Sequence, residues 1–224
     1  MDLAGWLKKL TTGKIVFETT SPINGKIQVI EDVFGRRLVV EGLTQSGGQV
    51  KRVWKKALET ISNFQFPISN ILILGLGAGT LAKLISQKWQ GVKITAVEID
   101  PKIVEIGKKY FDLDKIPKLK IVLADAAQFV SKLEIKNLKF EIIFTDLYLG
   151  DQFPPQCETI NFLKNLKSLL ASPGLVVLNR LYYKDHRHKT EKFLDRLGRI
   201  FKTIKRKKVG GNLLVFAQKT MKKT

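Results

Sequence analysis

A glycine-rich turn followed by one acidic residue is the pattern with the clearest chemical content in this sequence. Residues 71–74 form a short apolar run of the kind that a buried parallel strand needs, and the turn Gly75-Leu76-Gly77-Ala78-Gly79-Thr80 follows it. A second apolar run over 93–97 ends at Glu98. Glycines let backbone approach a ligand closely, and the acid can accept both hydroxyl groups of a ribose. The pattern predicts half of a Rossmann-type unit that binds an adenosine-type cofactor.

The spacing of the glycines narrows the class of cofactor. Gly75, Gly77 and Gly79 occupy alternate positions, and the further glycine that the dinucleotide fingerprint places three residues later is missing. This spacing resembles motif I of the S-adenosylmethionine-dependent methyltransferases. A tight strand-to-helix turn without a ligand is the alternative, and the presence of Glu98 weighs against it.

Length and composition predict one soluble, cytoplasmic unit with an appendage. A chain of 224 residues can bury a sizeable core. No apolar run approaches the ~20 residues of a membrane span, and residues 1–10 carry no cleavable signal pattern. Cys157 is the single cysteine, so an intrachain disulfide is excluded and a reducing compartment is favoured.

The net charge of +19 makes nucleic acid a candidate partner, because such a field attracts phosphates. Lysine, however, is several times more frequent than arginine and is spread along the chain, whereas nucleic-acid contacts favour arginine and exposed aromatic residues. We therefore interpret the charge as compositional and do not favour a nucleic-acid function. The densest cluster, 205–208, is expected on a solvated strand edge.

The chain divides near residue 65. Residues 1–65 are expected to form a small β-hairpin region with a linking helix over 49–64. One hairpin is predicted at Asn24-Gly25, which is a strong turn signal, and a second around Phe34-Gly35. The remainder, 66–224, is expected to be a Rossmann-like, cofactor-binding catalytic domain.

Strands and helices alternate along this second region. Helices are predicted over 101–110, 126–133, 157–170 and 186–201, and strands over 119–123, 140–145 and 175–178. A closing hairpin is predicted around Gly210-Gly211-Asn212. The predicted fold class is α/β, a Rossmann-like methyltransferase fold whose mostly parallel sheet ends in an antiparallel hairpin.

The chain resembles the spermidine synthases and their spermidine-synthase-like relatives, from Ser21 to about Gln218. The segments that carry the resemblance are 21–22, 26–29, 34–42, Gln45, 97–101, 124–126, Asp146 after 141–145, and 211–213. The resemblance implies a small N-terminal β-domain, a sulfonium cofactor and a homodimer joined partly through the N-terminal hairpins.

The resemblance also implies roles for individual residues. The expected cofactor contacts lie in turns after strands, and they are Gly75, Gly77, Ala78, Gly79, Glu98, Ile99, Asp125 and Ala126. Asp146 stands where the family places its catalytic aspartate. The expected substrate contacts are Gln45, Asp146, Tyr148 and Asp151. Each of these residues has an alternative role. Asp146 could be a cap or a solvated strand end, and Asp151 could be solvated. Tyr148 could serve packing, and Gln45 could make a polar hairpin contact.

Departures from the family pattern bear on which group is transferred. Ala78 replaces the aspartate that holds the amine of decarboxylated S-adenosylmethionine in aminopropyltransferases. The acceptor segment is 52–57, Arg-Val-Trp-Lys-Lys-Ala, instead of one with tyrosine, histidine or glutamine, and Asn24-Gly25 replaces a Tyr-Gln pair. Lysines here would repel a dicationic diamine. These differences favour S-adenosylmethionine over its decarboxylated form.

Three further residues are expected to be structural. His186 and His188 are two apart, which on a helix points them away from each other, so we expect both at the surface and no metal site. Trp54 lies on the apolar face of the predicted linking helix and is expected in the core.

Three hypotheses remain open. The first is methyl-type transfer from S-adenosylmethionine to an unknown nucleophile. We expect a small-molecule acceptor, but the sequence does not distinguish a small amine from a nucleobase or a protein side chain. The second is aminopropyl transfer that makes a polyamine. The third is a non-catalytic descendant that binds a cofactor or a polyanion. Ala78 favours the first over the second, and the retention of Glu98, Asp125 and Asp146 weighs against the third.

Overall fold

The computed structural model describes residues 13–62, 66–135 and 138–219, whose strands form two sheets. The strands of the smaller sheet are β1 (Lys14–Ser21), β2 (Gly25–Asp32), β3 (Gly35–Val40) and β4 (Leu43–Ser46). They pair antiparallel in the order β1-β2-β3-β4. Both predicted hairpins are confirmed, and Gly25 adopts φ +65° at the first turn. The prediction missed β4, which is only four residues long.

The larger sheet has seven strands. They are β5 (Asn70–Leu74), β6 (Lys93–Glu98), β7 (Leu119–Leu123), β8 (Phe140–Thr145), β9 (Leu170–Leu181), β10 (Thr203–Val209) and β11 (Asn212–Lys219). The order is β10-β11-β9-β8-β5-β6-β7. Within the run β9-β8-β5-β6-β7, neighbouring strands pair in parallel. Strand β11 pairs antiparallel with both β9 and β10. The predicted fold class is confirmed.

Helices connect these strands. They are α1 (Gly48–Ile61), α2 (Thr80–Lys88), α3 (Pro101–Phe111), α4 (Ala126–Ile135), α5 (Ile160–Leu169) and α6 (Lys184–Gly198), with 3-10 turns at Leu113–Lys115 and Pro155–Glu158. No helix within the described ranges is long and apolar enough to cross a membrane. The expected absence of a signal pattern in 1–10 lies outside the described residues.

Several predicted boundaries were wrong, and two of them have a clear structural cause. The helix predicted from residue 157 begins at Ile160, because the Thr159 hydroxyl accepts the N–H of Phe162 and caps the helix there. The strand predicted over 175–178 extends to Leu181, because β11 continues to pair with β9 after the parallel partner β8 has ended at Thr145.

The core lies on both faces of the larger sheet. Helices α1 and α2 cover one face, and α4, α5 and α6 cover the other. Trp54, buried as predicted, packs edge-on against Phe144 with ring centroids 5.6 Å apart. A third cluster joins the smaller sheet to α3. The predicted domain boundary near residue 65 falls on residues that are not described.

The topology fixes where a ligand can bind. The chain runs from β5 through α2 to β6 on one side, and it returns through α4 to β8 on the other side of β5. In open parallel sheets, ligands bind outside the carboxyl ends of the strands at such a reversal. The ends of β5, β6 and β8 carry the glycine turn, Glu98 and Asp146, which the fold therefore brings to one edge.

Candidate active site

The glycine turn places backbone where side chains would not fit. Gly75 has φ +87°, and a side chain on it would collide with the backbone carbonyl of Asp146. Gly77 has φ +54°, and a Cβ there would lie 2.9 Å from the Ser46 hydroxyl. Both positions therefore favour glycine for conformation as well as for space. The turn closes the gap between β5, β8 and the smaller sheet.

Glu98 is a buried carboxylate at the end of β6, and it accepts hydrogen bonds from three backbone N–H groups. One oxygen accepts the N–H of Gly77 at 2.9 Å, and the other accepts those of Ile99 and Asp100 at 2.9 and 3.1 Å. Burial raises the pKa of Glu98 above its ordinary value, and these hydrogen bonds oppose the rise. The carboxylate therefore fixes the glycine turn against the end of the next strand.

A cleft opens beside this turn. Six of the expected cofactor residues line it: Gly75, Gly77, Glu98, Ile99, Asp125 and Ala126. One carboxylate oxygen of Asp125 accepts a hydrogen bond from the backbone N–H of Gln128 at 2.9 Å, and the other accepts one from the side-chain amide of Gln156 at 3.3 Å. Cys157 also lines the cleft, and burial raises the pKa of its thiol to about 12.

Two expected cofactor residues lie behind the cleft instead of lining it. Ala78 is 2% exposed and packs in the apolar cluster between the smaller sheet and α3. Its N–H donates to the Ser46 hydroxyl at 2.9 Å. Gly79 has φ +91° and caps the start of α2. Both residues shape the turn without lining the cleft.

Asn24 connects the first hairpin to this region. Its side chain lines the cleft and donates to a carboxylate oxygen of Asp100 at 2.7 Å. The Ser21 hydroxyl donates to the same oxygen, while the other oxygen of Asp100 caps α3 by accepting the N–H of Lys102 at 2.9 Å. Asp100, itself buried, therefore ties the smaller sheet to the larger one at the rim of the cleft.

Asp146 follows β8 and is held by two side chains. One carboxylate oxygen accepts from the Asn179 amide at 2.9 Å, and the other accepts from the Trp54 indole at 3.1 Å. The Asn179 oxygen in turn accepts from the Asn212 amide at 2.9 Å. Burial raises the pKa of Asp146, and the bonds from Asn179 and Trp54 oppose the rise. The carboxylate is thus fixed in direction.

A second, larger cavity adjoins the cleft, and we call it the acceptor cavity. It lies between the smaller sheet, the first turns of α1, and the β10–β11 turn with its neighbours Asn179 and Leu181. Three residues line both the cleft and the acceptor cavity: Gln45, Asp146 and Tyr148. A ligand in one space therefore meets a ligand in the other beside the carboxylate of Asp146.

Tyr148 and Gln45, the other two residues that line both the cleft and the acceptor cavity, make structural contacts. The Tyr148 hydroxyl accepts the N–H of Leu181 at 2.7 Å and donates to the Asn179 carbonyl at 3.2 Å. Burial raises the pKa of this phenol. The Gln45 amide donates to the Gly150 carbonyl at 3.3 Å. Tyr148 thus braces the end of β9, and Gln45 ties β4 to the loop after Asp146.

Asp151 lies apart from the cleft and the acceptor cavity. Its carboxylate is 46% exposed and lies 3.2 Å from Nε2 of His186. Hydrogen bonds from Gln152 and His186 hold its pKa below the ordinary range. The expectation that His186 is a surface residue was wrong, since its side chain is 15% exposed. The cause is that α6 begins at Lys184 and places His186 against the loop that carries Asp151. His188 is exposed as expected.

Sequence reasoning missed the residues that orient Asp146. Trp54 was expected only to fill the core, and Asn179 was not considered. Asn179 does carry a signal, because it is a polar residue that follows the apolar run 175–178 toward the carboxyl end of a strand. Nothing in the local sequence indicates that Trp54, 92 positions before Asp146, donates to it. Within the described ranges, no group of three His, Cys, Asp or Glu residues is arranged to hold a metal.

Two curated relatives are similar in sequence. The eEF1A lysine and N-terminal methyltransferase homolog of Drosophila melanogaster is 30% identical over 141 residues, which are 60% of this chain and 21% of the relative. The polyamine aminopropyltransferase of Vibrio vulnificus is 30% identical over 109 residues, 49% of this chain and 36% of the relative. The chain thus spans about a fifth to a third of the length of these relatives.

Two solved structures show the same fold. The spermidine synthase of Thermotoga maritima matches with a TM-score of 0.77 at 18% identity, over 93% of this chain and 74% of that one. Human methyltransferase-like protein 13 in complex with SAH matches with a TM-score of 0.66 at 22% identity, over 77% and 82%. The spermine/spermidine synthase domain pattern matches residues 53–209. The chain belongs to the spermine/spermidine synthase domain family.

Proposed function

We propose that this chain transfers a methyl group from S-adenosylmethionine to a nucleophile held in the acceptor cavity, with Asp146 as the catalytic residue. The observation that carries the proposal is the meeting of the cleft and the acceptor cavity at Asp146. The Drosophila relative supports it, because its name is that of a methyltransferase.

The chemistry of the cleft fits this cofactor. A carboxylate offers about four acceptor positions, and three backbone N–H groups use three of them at Glu98. One position therefore remains, which serves one ribose hydroxyl, whereas the sequence led us to expect that Glu98 would accept both. Asp125 and the N–H of Ala126 are assigned to the adenine, and Ala126 opens α4, so its N–H has no partner within that helix. Gly75 and Gly77 allow close approach.

Ala78 supports the carboxylated form of the cofactor. In the aminopropyltransferases that the chain resembles, an aspartate at this position holds the amine of the decarboxylated form by charge. Here the side chain is a methyl group buried among apolar residues, and the backbone N–H is already bound by Ser46. The turn therefore offers no side-chain carboxylate for that amine.

Asp146 would act on the nucleophile. When bound, S-adenosylmethionine supplies a methyl group on a positively charged sulfur, which the nucleophile displaces. Asp146, fixed by Trp54 and Asn179, would in its ionised form accept a hydrogen bond from the nucleophile and orient its lone pair toward the cleft. Most of the rate gain would come from alignment of the two bound partners.

The acceptor cavity disfavours a dicationic acceptor. The carboxylates among its described lining residues are Asp146 and Asp32, and Asp32 is paired with Arg37 at 3.1 Å. Lys51 and Arg52 are exposed at the same cavity, and neither has an ion-pair partner among the described residues. We propose a small amine or other nucleophile without a second positive charge, and a polypeptide amine is a further candidate from the name of the Drosophila relative.

Aminopropyl transfer is the second candidate, favoured by the Vibrio relative and by Asp146. It requires the decarboxylated cofactor and a polyamine acceptor. A homodimer and a cytoplasmic location stay predictions, the latter resting on the single cysteine. A nucleic-acid partner stays disfavoured.

Thermal unfolding with each cofactor form separates the two candidates. A ligand at a hundred times its dissociation constant adds about 2.7 kcal/mol to the free energy of unfolding, which gives a clear rise in Tm. We expect a larger rise with S-adenosylmethionine than with the decarboxylated form. The opposite preference would establish the aminopropyl alternative, and no rise with either would leave a non-catalytic protein.

A further inference from the structure

Asn212 lies on the same face of the larger sheet as Asn179. Strands β9 and β11 pair in a register that sets Leu214 opposite Asn179. Because side chains alternate between the two faces of a strand, Asn212, two residues before Leu214, shares the face of Asn179 and is its diagonal neighbour. Its side-chain amide donates to the Asn179 side-chain oxygen at 2.9 Å. The start of β11 thus supplies a donor to the residue that binds Asp146.

The buried side chain of Asn179 joins two partners. Its oxygen accepts from Asn212, and its NH2 group donates to Asp146 at 2.9 Å. Its main chain is held separately, since the Asn179 carbonyl accepts from the Tyr148 hydroxyl at 3.2 Å, beyond the point where β8 stops pairing with β9. The freedom that remains is a half-turn of the amide about its last torsion, which is roughly two-fold in asparagine.

The two orientations of this amide are not equivalent for Asp146. An NH2 group directed at Asp146 favours the ionised carboxylate, whereas an amide oxygen in the same place is satisfied only by a protonated carboxyl. Trp54, the other described side chain bound to Asp146, cannot change in this way, because an indole N–H is a donor only. A half-turn of Asn179 would also set its NH2 group against that of Asn212. The two amides therefore turn together.

The charges around these amides favour the observed direction. Asn212 directly follows the β10–β11 turn, and the guanidinium of Arg52 approaches this turn, where a Cβ placed on Gly210 would lie 3.8 Å from Nη2. Arg52 and Asn212 also line the same cavity. A cation near the turn and a carboxylate at the other end both favour amides whose NH2 groups point toward the carboxylate.

We propose that Asn212 is a positioning residue, which forms with Asn179 a two-amide relay whose direction keeps Asp146 an acceptor for the nucleophile. Hydrogen bonds in such a chain polarise one another, so the Asn212 bond strengthens the one from Asn179 to Asp146. The consequence for catalysis rests on the proposed function. The consequence for the Asp146 carboxylate is independent of turnover.

Other ionisable side chains share the cleft or the acceptor cavity with Asp146. They are Glu98, Asp125, Cys157, Tyr148, Asp32, Arg37, Lys51, Arg52 and Tyr183. The pKa of Asp146 is nevertheless governed by burial, which raises it, and by the hydrogen bonds from Asn179 and Trp54, which lower it. Reversal of the Asn179 amide is therefore expected to raise this pKa further.

The first experiment measures the pKa of Asp146 by NMR of protein labelled with 13C at the aspartate carboxyl carbons. The signal of Asp146 is the one that Asp146→Asn lacks. In Asn212→Asp, the introduced carboxylate accepts from Asn179 and turns its oxygen toward Asp146, so we expect the pKa to rise by about two units. In an Asn179→Leu background the same substitution acts by charge alone, and we expect a rise of less than about one unit.

Gln49→Glu is the matched control for added negative charge, because Gln49 is exposed and lines the same cavity. We expect it to raise the pKa of Asp146 no more than the charge-only comparison does. If Asn179→Leu does not fold, the comparison of Asn212→Asp with Gln49→Glu decides alone. The relay is overturned if these two variants have equal effects, or if Asn212→Asp acts equally with and without Asn179.

The second experiment records pH–rate profiles of the parent and of Asn212→Leu, which removes the donor and adds no charge. Since the ionised form of Asp146 is lost as the pH falls through its pKa, we expect the rising limb to shift upward by about half a pH unit. A lower rate with an unshifted limb would overturn the positioning role. Absence of turnover in the parent would count against the proposed function, and the NMR comparison would still decide the relay.

Discussion

The cleft and the acceptor cavity are each organised around a carboxylate, and the two carboxylates are held in different ways. Glu98 accepts hydrogen bonds from backbone N–H groups of the glycine turn and of Ile99 and Asp100, the two residues that follow Glu98. Asp146 accepts from the side chains of Trp54 and Asn179, which are 92 and 33 positions away in sequence. The first arrangement needs only backbone donors from one strand-turn-helix-strand segment, whereas the second exists only after distant elements have packed together.

This difference assigns separate tasks to the two regions. A carboxylate bound by backbone keeps its place in any chain with this strand and turn, so the cleft can retain one cofactor class while relatives diverge. A carboxylate bound by side chains changes its direction and its pKa when those side chains change. The acceptor cavity is therefore where members of such a family can alter the nucleophile that they accept.

The largest effect is expected at Asp146. In Asp146→Asn the amide cannot accept from both Trp54 and Asn179, and it cannot take a proton from a nucleophile. We expect turnover to fall at least about 100-fold, measured as S-adenosylhomocysteine release with a peptide amine, and cofactor affinity to change less than about twofold. Asp195→Asn on the exposed face of α6 is the matched control. Unchanged turnover in Asp146→Asn would remove the catalytic assignment.

A smaller effect, confined to binding, is expected at Glu98. Glu98→Ala removes the proposed ribose contact and the anchor of the Gly77 N–H. Because hydrogen bonds to a charged group contribute about 1–3 kcal/mol, affinity for S-adenosylhomocysteine should fall about 5- to 150-fold in calorimetry. Glu105→Ala, an exposed acid on α3, should bind like the parent. If Glu98→Ala also binds normally, the ribose assignment is wrong.

The sequence predicted the cleft better than the acceptor cavity, because the residues of the glycine turn and Glu98 lie close together in sequence and those around Asp146 do not. Apolar runs, glycines and a terminal acid lie within 71–98, so their periodicity and spacing indicate strand, turn and ligand together. The fold class followed from the alternation that continues after this segment. Boundaries were less accurate, since the Thr159 cap and the pairing of β9 with β11 depend on single side chains and on a distant strand.

The acceptor cavity could not be predicted in this way. Its wall combines β3, β4, α1 and the β10–β11 turn, which meet only in the folded chain. Trp54 shows the limit, because an apolar helix face predicts burial and says nothing about where the indole N–H points. His186 shows it as well, since helical spacing separates it from His188 and cannot place it beside Asp151.

The smallest and most specific effect is expected at Trp54. Trp54→Phe keeps an aromatic ring against Phe144 and removes only the donor to Asp146. That hydrogen bond opposes the rise of the Asp146 pKa, so its loss should raise this pKa further. If ionised Asp146 is required, activity increases as the pH rises through its pKa. The rising limb of the pH–rate profile should then shift upward by about one pH unit.

The control for this shift is Trp89→Phe, which changes the same residue type at the end of α2, where Trp89 packs against the core outside both cavities. Its pH–rate profile should match that of the parent. A lower rate in Trp54→Phe with an unshifted limb would mean that Trp54 supports the cavity only by packing. A shifted limb would show that a residue buried in the core sets the proton affinity of Asp146. In that case the acceptor half of the site is tuned through α1, which packs on the larger sheet.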